Sequence, residues 1–273
     1  MWQNIEGSET RRIAVIGDAA ENELDLAVST AGCLAVQLHV EFVGLQCSTE
    51  EFRPCIESLG MAGFLGAAIN NPHKADAAKL ALEYFRMRGS LGVANALKLG
   101  PPIVAQNTEV PAFDAQIADI PSGTALVMGS GRAARSALQS LCERGWKVRL
   151  WNRNVIRSKP LIAFFEYYGR VEPVSRPDPT GCSLIVNATP VGAKAGEQPP
   201  VLWEFAKPRT RCLDFVYRRV QTEFLRKASS LGFGIVDGRE LLVERSALAL
   251  EWWLGTEIPR DPMRLAVGLK RLP

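Results

Sequence analysis

The sequence predicts an α/β protein built from two lobes. Apolar runs typical of buried strands alternate with helical patterns of about ten residues or more, which calls for parallel strands joined by helices. A glycine-rich turn beginning at Gly129 lies between a strand pattern and a helix pattern. Pro101-Pro102 and the polar stretch 106–109 separate the two series of elements. The expected lobes are residues 1–105, completed by 240–273, and residues 106–239.

The first lobe begins with three strand patterns, each followed by a helix pattern. We expect strands at 12–17, 36–45 and 63–69, helices from Asn22, over 50–59 and from Pro72 to about Arg88, and then turns with a short strand over 89–99. Asn22 is interpreted as an N-cap residue, with Asp25 three residues further on. Pro72 suits a helix start because its missing N–H would have no partner there.

The second lobe repeats the alternation after a short connecting helix over 113–120. The expected strands are 124–128, 147–151, a segment near Val171, 183–187, 212–217 and 234–237. Three further helices are expected in this lobe: one directly after the glycine turn, one over 159–168 and one over 222–231. Two last helices, over 241–254 and 261–272, are expected to return to the first lobe.

Composition excludes several classes of protein. The chain has 273 residues, 47% of them hydrophobic and 22% charged, and a net charge of +3, with its basic residues scattered, so a nucleic-acid partner is not expected. No apolar run reaches membrane-spanning length, and the N-terminus lacks a signal pattern. The six cysteines have no C-x-x-C spacing, which favours reduced thiols in a cytoplasmic protein. With only two histidines, a histidine-based metal site is not expected.

The glycine turn has the form of a dinucleotide-binding fingerprint. Gly129 permits a tight turn, Gly131 lets the backbone approach a pyrophosphate, and Ala134 lets helix and strand pack closely. The N–H groups at the helix start and the helix dipole then bind the anion. A strand precedes the turn and a helix and a second strand follow it, which is the context the motif requires, so the second lobe is expected to be a Rossmann domain.

Residues after the second strand of this lobe indicate which cofactor binds. An NAD site places Asp or Glu there for the ribose 2′-hydroxyl, whereas an NADP site needs a cation for the 2′-phosphate. This chain has Asn152-Arg153, then Arg157, with no acid between them. Arg153 can offer a planar guanidinium to phosphate oxygens, although a solvated arginine at a strand end is also common. The pattern favours NADP.

With these segments placed, the chain resembles the shikimate dehydrogenase family along nearly its whole length. The resemblance rests on short motifs that occur in the family's order. They are Pro72-His73-Lys74, Gly92-Val93-Ala94-Asn95-Ala96, Asn107-Thr108-Glu109, the segment 129–135, Asn152-Arg153-Asn154 with Arg157, the segment 187–192, the segment 214–217, and a segment from Gly238 to Trp253-Leu254-Gly255.

The resemblance implies hydride transfer with NADP and a role for each matching residue. Lys74 would donate the proton, and Glu109 would orient Lys74 and bind a substrate hydroxyl. The expected substrate-binding residues are Asn70, Asn95, Tyr217, Arg245, Glu23 and Asp25. The expected cofactor-binding residues are Gly129, Ser130, Gly131, Arg132, Ala133, Asn152, Arg153, Arg157, Ala188, Thr189, Val216 and Gly238.

Each of these side chains also has a structural interpretation. Lys74 can be a surface lysine of its helix, and Glu109 a solvated loop acid. The two asparagines can cap turns, Tyr217 can belong to the core, and His73 fits a helix start better than a catalytic base.

The substrate half departs from the family's pattern. The family's paired serines, which bind the substrate carboxylate, fall on Glu23 and Asp25, and a family asparagine falls on Ala68. Asn70 replaces a threonine, Glu109 an aspartate, and Arg245 a glutamine. Two acids at the carboxylate position would repel a carboxylate, unless they only cap the first helix. Arg245 is either a new anchor for the carboxylate elsewhere or a solvated residue of its helix.

The sequence therefore predicts an NADP-dependent oxidoreductase that interconverts a cyclic polyhydroxy ketone and its alcohol. Shikimate or quinate is the default substrate by resemblance, and a ring with an amino group facing Glu23 and Asp25 is the alternative within the class. A regulatory protein that binds NADP without turnover is the alternative from another class. We expect a monomer or homodimer with a small-molecule substrate, and no metal or membrane.

Overall fold

The computed structural model describes residues 10–81 and 92–271. Its internal contacts divide the chain into two compact units. The first unit consists of Met1–Thr108 and Ser246–Pro273, and the second of Glu109–Arg245. The sequence placed the two boundaries after residues 105 and 239, a few residues earlier than the structure does.

The first part of the chain contains strands and helices with the following bounds. They are β1 Arg11–Ile16, α1 Ala19–Ala35, β2 Val40–Leu45, α2 Phe52–Met61, β3 Gly66–Ile69, α3 Lys74–Leu80, β4 Ala96–Lys98 and β5 Val104–Gln106. The expected continuation of the helix to Arg88 falls in 82–91, outside the described residues.

The later part of the chain continues the series. Its elements are α4 Glu109–Gln116, β6 Thr124–Met128, α5 Arg132–Glu143, β7 Lys147–Trp151, α6 Val155–Glu166, β8 Arg170–Val174, β9 Leu184–Asn187, β10 Arg211–Asp214, α7 Glu223–Ser230, β11 Gly234–Val236, α8 Gly238–Leu254 and α9 Arg260–Ala266. Helix α8 contains the second boundary between the units, between Arg245 and Ser246.

A five-stranded sheet of order β2-β1-β3-β4-β5 forms the centre of the first unit. β1 pairs in parallel with β2 and β3, but β4 pairs antiparallel with both of its neighbours. The sequence predicted parallel strands, and the last two strands of this sheet depart from that prediction. Only residues 99–103 separate β4 from β5, and so short a connection joins antiparallel strands, since a parallel pair needs a crossover of about a dozen residues or more.

Helix α2 packs against the core of the first unit through one apolar face. Phe52, Ile56 and Leu59, at helical spacing, are its buried residues. They join Ile16 and Ile69 of the sheet in one apolar core. The helix runs through Gly60 to Met61, although the sequence predicted an end before that glycine.

The start of α1 also differs from the prediction. The helix begins at Ala19 with Asp18 as its N-cap residue, so Asn22 lies inside the first turn. The Asn22 Nδ2 atom donates to the backbone oxygens of Gly17 and Leu45, each at 3.1 Å. Asn22 therefore ties the helix to the ends of β1 and β2, and the capping-box interpretation of Asn22 and Asp25 is wrong.

The segment after Arg245 completes the first unit. The Trp253 Nε1 atom donates to the Leu97 carbonyl oxygen at 2.9 Å, and a Cβ on Gly66 would lie 2.4 Å from the same nitrogen. Helix α9 packs against α1, where a Cβ on Gly32 would lie 3.1 Å from Met263 Sδ. Both contacts therefore need a glycine, Gly66 beside Trp253 and Gly32 beside α9.

The second unit contains a six-stranded parallel sheet of order β11-β10-β9-β6-β7-β8. With β6 as its first strand, this is the doubly wound Rossmann order, in which the strand sequence reverses beside the first strand. β6 and β7 have the predicted bounds. Ligands bind in such sheets at the carboxyl ends of the strands where the order reverses, here β6 and β9.

Among the described residues, no helix has the length and apolar character needed to cross a membrane.

Candidate active site

The turn after β6 closes tightly against the loop after β9. Gly129 has φ +112°, a conformation that favours glycine, and its N–H donates to the Trp151 carbonyl oxygen at 2.8 Å. A Cβ on Gly129 would lie 2.5 Å from the Ala188 oxygen and 3.1 Å from Thr189 Cγ2. The first glycine of the fingerprint is therefore required for the contact between the two strand ends.

The second glycine has a different environment. Gly131 is the N-cap residue of α5, has an ordinary φ of −86°, and a Cβ there would meet no atom within 4 Å. Ser130, Arg132 and Ala133 around it are partly exposed, whereas Ala134 is buried against the sheet. The first N–H groups of a helix have no partner within it, so this open helix start fits a pyrophosphate.

The segment after β7 presents two arginines. Asn152 Nδ2 donates to the Asn154 oxygen at 2.6 Å, and Asn154 Oδ1 caps α6 by accepting from the Ile156 N–H at 3.1 Å. Arg153 and Arg157 are exposed, and within the described part of the chain neither guanidinium has a carboxylate partner. Both are thus available to a 2′-phosphate.

The loop after β9 is held by Asn187. Its Oδ1 accepts from the Thr189 N–H at 3.2 Å and from the Thr189 hydroxyl at 2.7 Å. Its Nδ2 donates to the Val191 oxygen at 2.9 Å and to Asp214 Oδ1 at 2.8 Å. The Ala188-Thr189 segment therefore has a fixed position at the carboxyl edge of the sheet.

Asp214, at the end of β10, fixes the adjacent loop. Its Oδ1 also accepts from the Val216 N–H at 3.0 Å, and its Oδ2 accepts from the Thr222 hydroxyl at 2.6 Å. Burial raises the pKa of Asp214 to about 7, against the opposing effect of these three donors. Asp214 belongs to one of the motifs shared with the family, but no role was predicted for it; an acid that ends an apolar strand was the available signal.

Gly238 secures the other side of the Val216 loop. A Cβ on Gly238 would lie 2.4 Å from the Val216 oxygen, so the first residue of α8 must be very small. Ala188 and Thr189, the Val216 loop and the first residue of α8 are thus connected through Asn187, Asp214 and Gly238 in the second unit.

A small cavity within the second unit brings together three predicted substrate-site residues. Glu109, Tyr217 and Arg245 line it with apolar neighbours. Arg245 donates to the Tyr217 hydroxyl at 3.1 Å, and its guanidinium carbon lies 5.7 Å from that ring's centroid. Glu109 accepts from the Ser136 hydroxyl at 3.3 Å. Arg245 is 4% exposed and Glu109 9%, so neither is the solvated residue that the sequence allowed.

Lys74 is the first residue of α3, at the carboxyl edge of the first unit's sheet. Its side chain is only 8% exposed, and its carbonyl oxygen accepts from the Ala94 N–H at 2.8 Å. Lys74 is therefore not an ordinary surface lysine. His73 has a packing role, because its ring stacks on Phe52 with centroids 4.8 Å apart and its Nε2 lies 3.1 Å from the Cys47 oxygen.

Asn70 and Asp25 form one buried cluster in the first unit. Asn70 Nδ2 donates to Asp25 Oδ2 at 2.6 Å and to Asn22 Oδ1 at 3.2 Å. The Ser246 hydroxyl donates to Asp25 Oδ1 at 3.2 Å. Asp25 is buried within α1, whereas Glu23 is exposed, so the two acids that the sequence treated as a pair have different environments.

Asn95 is joined to Thr108 by two hydrogen bonds. Its Nδ2 donates to the Thr108 hydroxyl at 2.8 Å, and its Oδ1 accepts from the Thr108 N–H at 2.7 Å. These bonds orient the amide and leave one of its N–H groups outside the pair.

No protein-family model matches the chain. Among curated proteins, the NADP⁺-dependent shikimate dehydrogenase of Bartonella tribocorum is 30% identical over 268 residues, which cover 92% of this chain and 91% of that protein. The chain belongs to the shikimate dehydrogenase family.

Solved structures of shikimate dehydrogenases have the same fold. The Thermus thermophilus enzyme, solved in complex with NADP(H) and shikimate, superposes with a TM-score of 0.84 at 26% identity, covering 94% of this chain and 98% of that one. The Aquifex aeolicus enzyme gives a TM-score of 0.84 at 23% identity over 96% of this chain and 99% of that one, which shows the fold alone.

Proposed function

We propose that this chain is an NADP-dependent oxidoreductase that transfers hydride reversibly between NADPH and a cyclic polyhydroxy ketone. 3-Dehydroshikimate and shikimate, or quinate, are the reference substrates, and a ring-substituted analogue is the alternative. The observation that carries the proposal is the nearly buried Lys74 at the carboxyl edge of the first sheet, in a member of this family.

The second unit is proposed to hold NADP, which supplies the nicotinamide that accepts or gives the hydride. Ser130, Gly131, Arg132 and Ala133 surround the open start of α5, where a pyrophosphate would accept from backbone N–H groups. Asn152, Arg153 and Arg157 would hold the 2′-phosphate. Ala188, Thr189 and Val216 in their loops, and Gly238 at the start of α8, would contact the rest of the cofactor.

The first unit is proposed to carry the proton chemistry. When a ketone is reduced, negative charge develops on its oxygen, and the Lys74 ammonium can donate both a hydrogen bond and the proton to that atom. Asn70 and Asn95 have amides fixed by neighbouring side chains, so they would bind substrate hydroxyls without first being ordered. In the second unit, the Ser136 hydroxyl holds the Glu109 carboxylate, which would accept a hydrogen bond from a further substrate hydroxyl.

A turnover screen tests this proposal. The purified protein is assayed by nicotinamide absorbance with NADP⁺ and NAD⁺ against shikimate, quinate and an amino-substituted analogue. We expect NADP-dependent turnover of at least one ring. NADP binding without turnover of any of the three rings would instead indicate a regulatory protein that binds NADP without catalysis.

We further propose that the enzyme acts in the cytoplasm as a monomer or homodimer. Its six cysteines are all free thiols, four of them buried, which is the cysteine usage of a reducing compartment. Sedimentation analysis of the purified protein would decide between the two oligomeric states.

A further inference from the structure

Asp25 lies where the first unit's sheet reverses its strand order. The chain leaves β1 for β2 and then returns across β1 to β3, so the carboxyl ends of β1 and β3 flank the position where open α/β sheets bind ligands. Asn70 directly follows β3, and a Cβ on Gly17, directly after β1, would lie 2.4 Å from Asn70 Cβ. The contact between Asn70 and Asp25 is therefore at this position.

The amide N–H groups of this cluster already donate to protein oxygens. Both N–H groups of the Asn70 amide are used, one towards Asp25 Oδ2 and one towards Asn22 Oδ1. The Asn22 amide in turn donates to the Gly17 and Leu45 backbone oxygens. An amide nitrogen has only two protons, and both Asp25 oxygens act as acceptors, towards Asn70 and Ser246. These three side chains can consequently offer a ligand only acceptor atoms.

Asp25 causes this arrangement. With a neutral donor at position 25, the Asn70 amide could turn one N–H group towards a ligand; the Asp25 carboxylate accepts that hydrogen bond instead, at 2.6 Å, and the other N–H group is directed to Asn22 Oδ1 at 3.2 Å. Asp25 is only 1% exposed, and both of its carboxyl oxygens already accept hydrogen bonds, from the Asn70 amide and the Ser246 hydroxyl. A second carboxylate nearby would meet repulsion and find no compensating donor in the cluster.

We propose that Asp25 is a specificity-determining residue that makes this end of the site select a hydrogen-bond donor. The preferred substrate carries a hydroxyl or an ammonium group there, and a carboxylate is disfavoured. This inference rests on the proposed function, because it names the substituent that the same oxidoreductase site accepts.

Equilibrium binding tests the inference without requiring turnover. Isothermal titration calorimetry at saturating NADP⁺ compares shikimate with its neutral carboxamide, which differs from it in charge and in offering N–H donors. We expect the protein to bind the carboxamide at least about tenfold more tightly. Equal affinity, or tighter binding of shikimate, would overturn the inference, and so would binding of neither ring by protein that binds NADP⁺.

Two variants then locate the effect at position 25. Asp25→Asn keeps the shape and supplies N–H donors, and Asp25→Ser removes the charge with a smaller side chain; each should lower the preference for the carboxamide at least about tenfold. Glu57→Gln, an exposed carboxylate of α2 in the same unit, is the control and should leave the ratio unchanged. An unchanged ratio in a folded Asp25→Asn protein would contradict the inference.

The comparison also separates this inference from the proposed function. Selective binding of the carboxamide by a protein that turns over none of the rings would support the role of Asp25 and contradict the assignment as an enzyme. Turnover of shikimate with no preference for the carboxamide would support the assignment as an enzyme and contradict the role of Asp25.

Discussion

The Cα atom of Gly129 lies against the carbonyl of Ala188, so that a Cβ at position 129 would be 2.5 Å from the carbonyl oxygen. This contact joins the ends of β6 and β9, the two strands at which the order of the Rossmann sheet reverses. Because a backbone oxygen has little freedom to move, the contact requires glycine on steric grounds as well as through its φ of +112°.

Gly129→Ala should therefore destabilise the protein and weaken NADP binding together. The strained backbone conformation alone costs about 1–3 kcal/mol, and the displaced Ala188 loop adds to it. Thermal unfolding and NADP titration measure the two effects. Gly145→Ala, which has φ +75° but open space around its Cβ, is the control for strain and should leave NADP affinity unchanged.

Gly131→Ala should weaken NADP binding while leaving the unfolding midpoint nearly unchanged. Its φ suits alanine and its Cβ would meet no protein atom, but the methyl group would occupy the space in front of α5 where the pyrophosphate is expected. We expect a loss of about tenfold or more, the affinity equivalent of about 1.4 kcal/mol. Unchanged affinity would show that the phosphates bind elsewhere.

Arg153→Ala should lower NADP affinity about tenfold or more and leave NAD affinity almost unaltered. A charge-assisted hydrogen bond to the 2′-phosphate is worth about 1.5–3 kcal/mol, and NAD lacks that group. Arg170→Ala is the matched control, since Arg170 is an exposed arginine at the amino end of β8. Equal losses for both cofactors would contradict the assignment of Arg153.

Lys74→Ala should abolish most turnover and change NADP affinity by no more than a few-fold. General acid–base catalysis contributes about 10²–10⁴-fold, and the phosphate-binding residues belong to the other unit of the chain. Lys79→Ala, on the same helix but exposed and paired with Asp76, serves as the control for fold and charge. Retention of most of the turnover number would mean that the proton comes from another group.

Asp214→Asn should alter how stability depends on pH. Burial raises the pKa of Asp214 from 3.8 to about 7, so the folded protein holds a proton there that the unfolded chain releases above about pH 4. The contribution of Asp214 to stability therefore falls as pH rises from about 4 to 7 and is constant above about 8. The full change is about 4 kcal/mol at about 1.36 kcal/mol per pH unit.

Chemical denaturation at several pH values measures this dependence. Relative to the wild type, Asp214→Asn should gain stability as pH rises through the same window, because asparagine does not titrate and can still bond Thr222 and Val216. Parallel curves for the two proteins would indicate that Asp214 is ionised in the folded state throughout the range.

The glycine turn could be predicted from the sequence because the information is local. The strand patterns at 124–128 and 147–151, and the small residues between them, specify β6, α5 and β7 through neighbours a few positions away. Arg153 also follows from its place after β7. In these segments the hydrophobic period and the turn chemistry agree on the same structure.

Asp25 could not be assigned in that way. Its position after Asn22 matches a helix-capping pattern, and only the tertiary structure shows that the side chain is buried against Ser246, 221 residues further along the chain. Asn22 had the same ambiguity, since its partners are backbone oxygens at the ends of two strands. The antiparallel direction of β4 was missed for another reason: no strand was predicted at 104–106, so the short connection 99–103 to β5 was not recognised.

The bond between Trp253 and Leu97 has a consequence for the order in which the chain matures during translation. Glu109–Arg245 is continuous, so the second unit can become compact as soon as its last residue leaves the ribosome. The segment before Glu109 is synthesised earlier, but the first unit lacks Trp253, 156 positions beyond Leu97, until residues 246–273 emerge. The unit whose synthesis starts earlier is consequently the unit that is completed later.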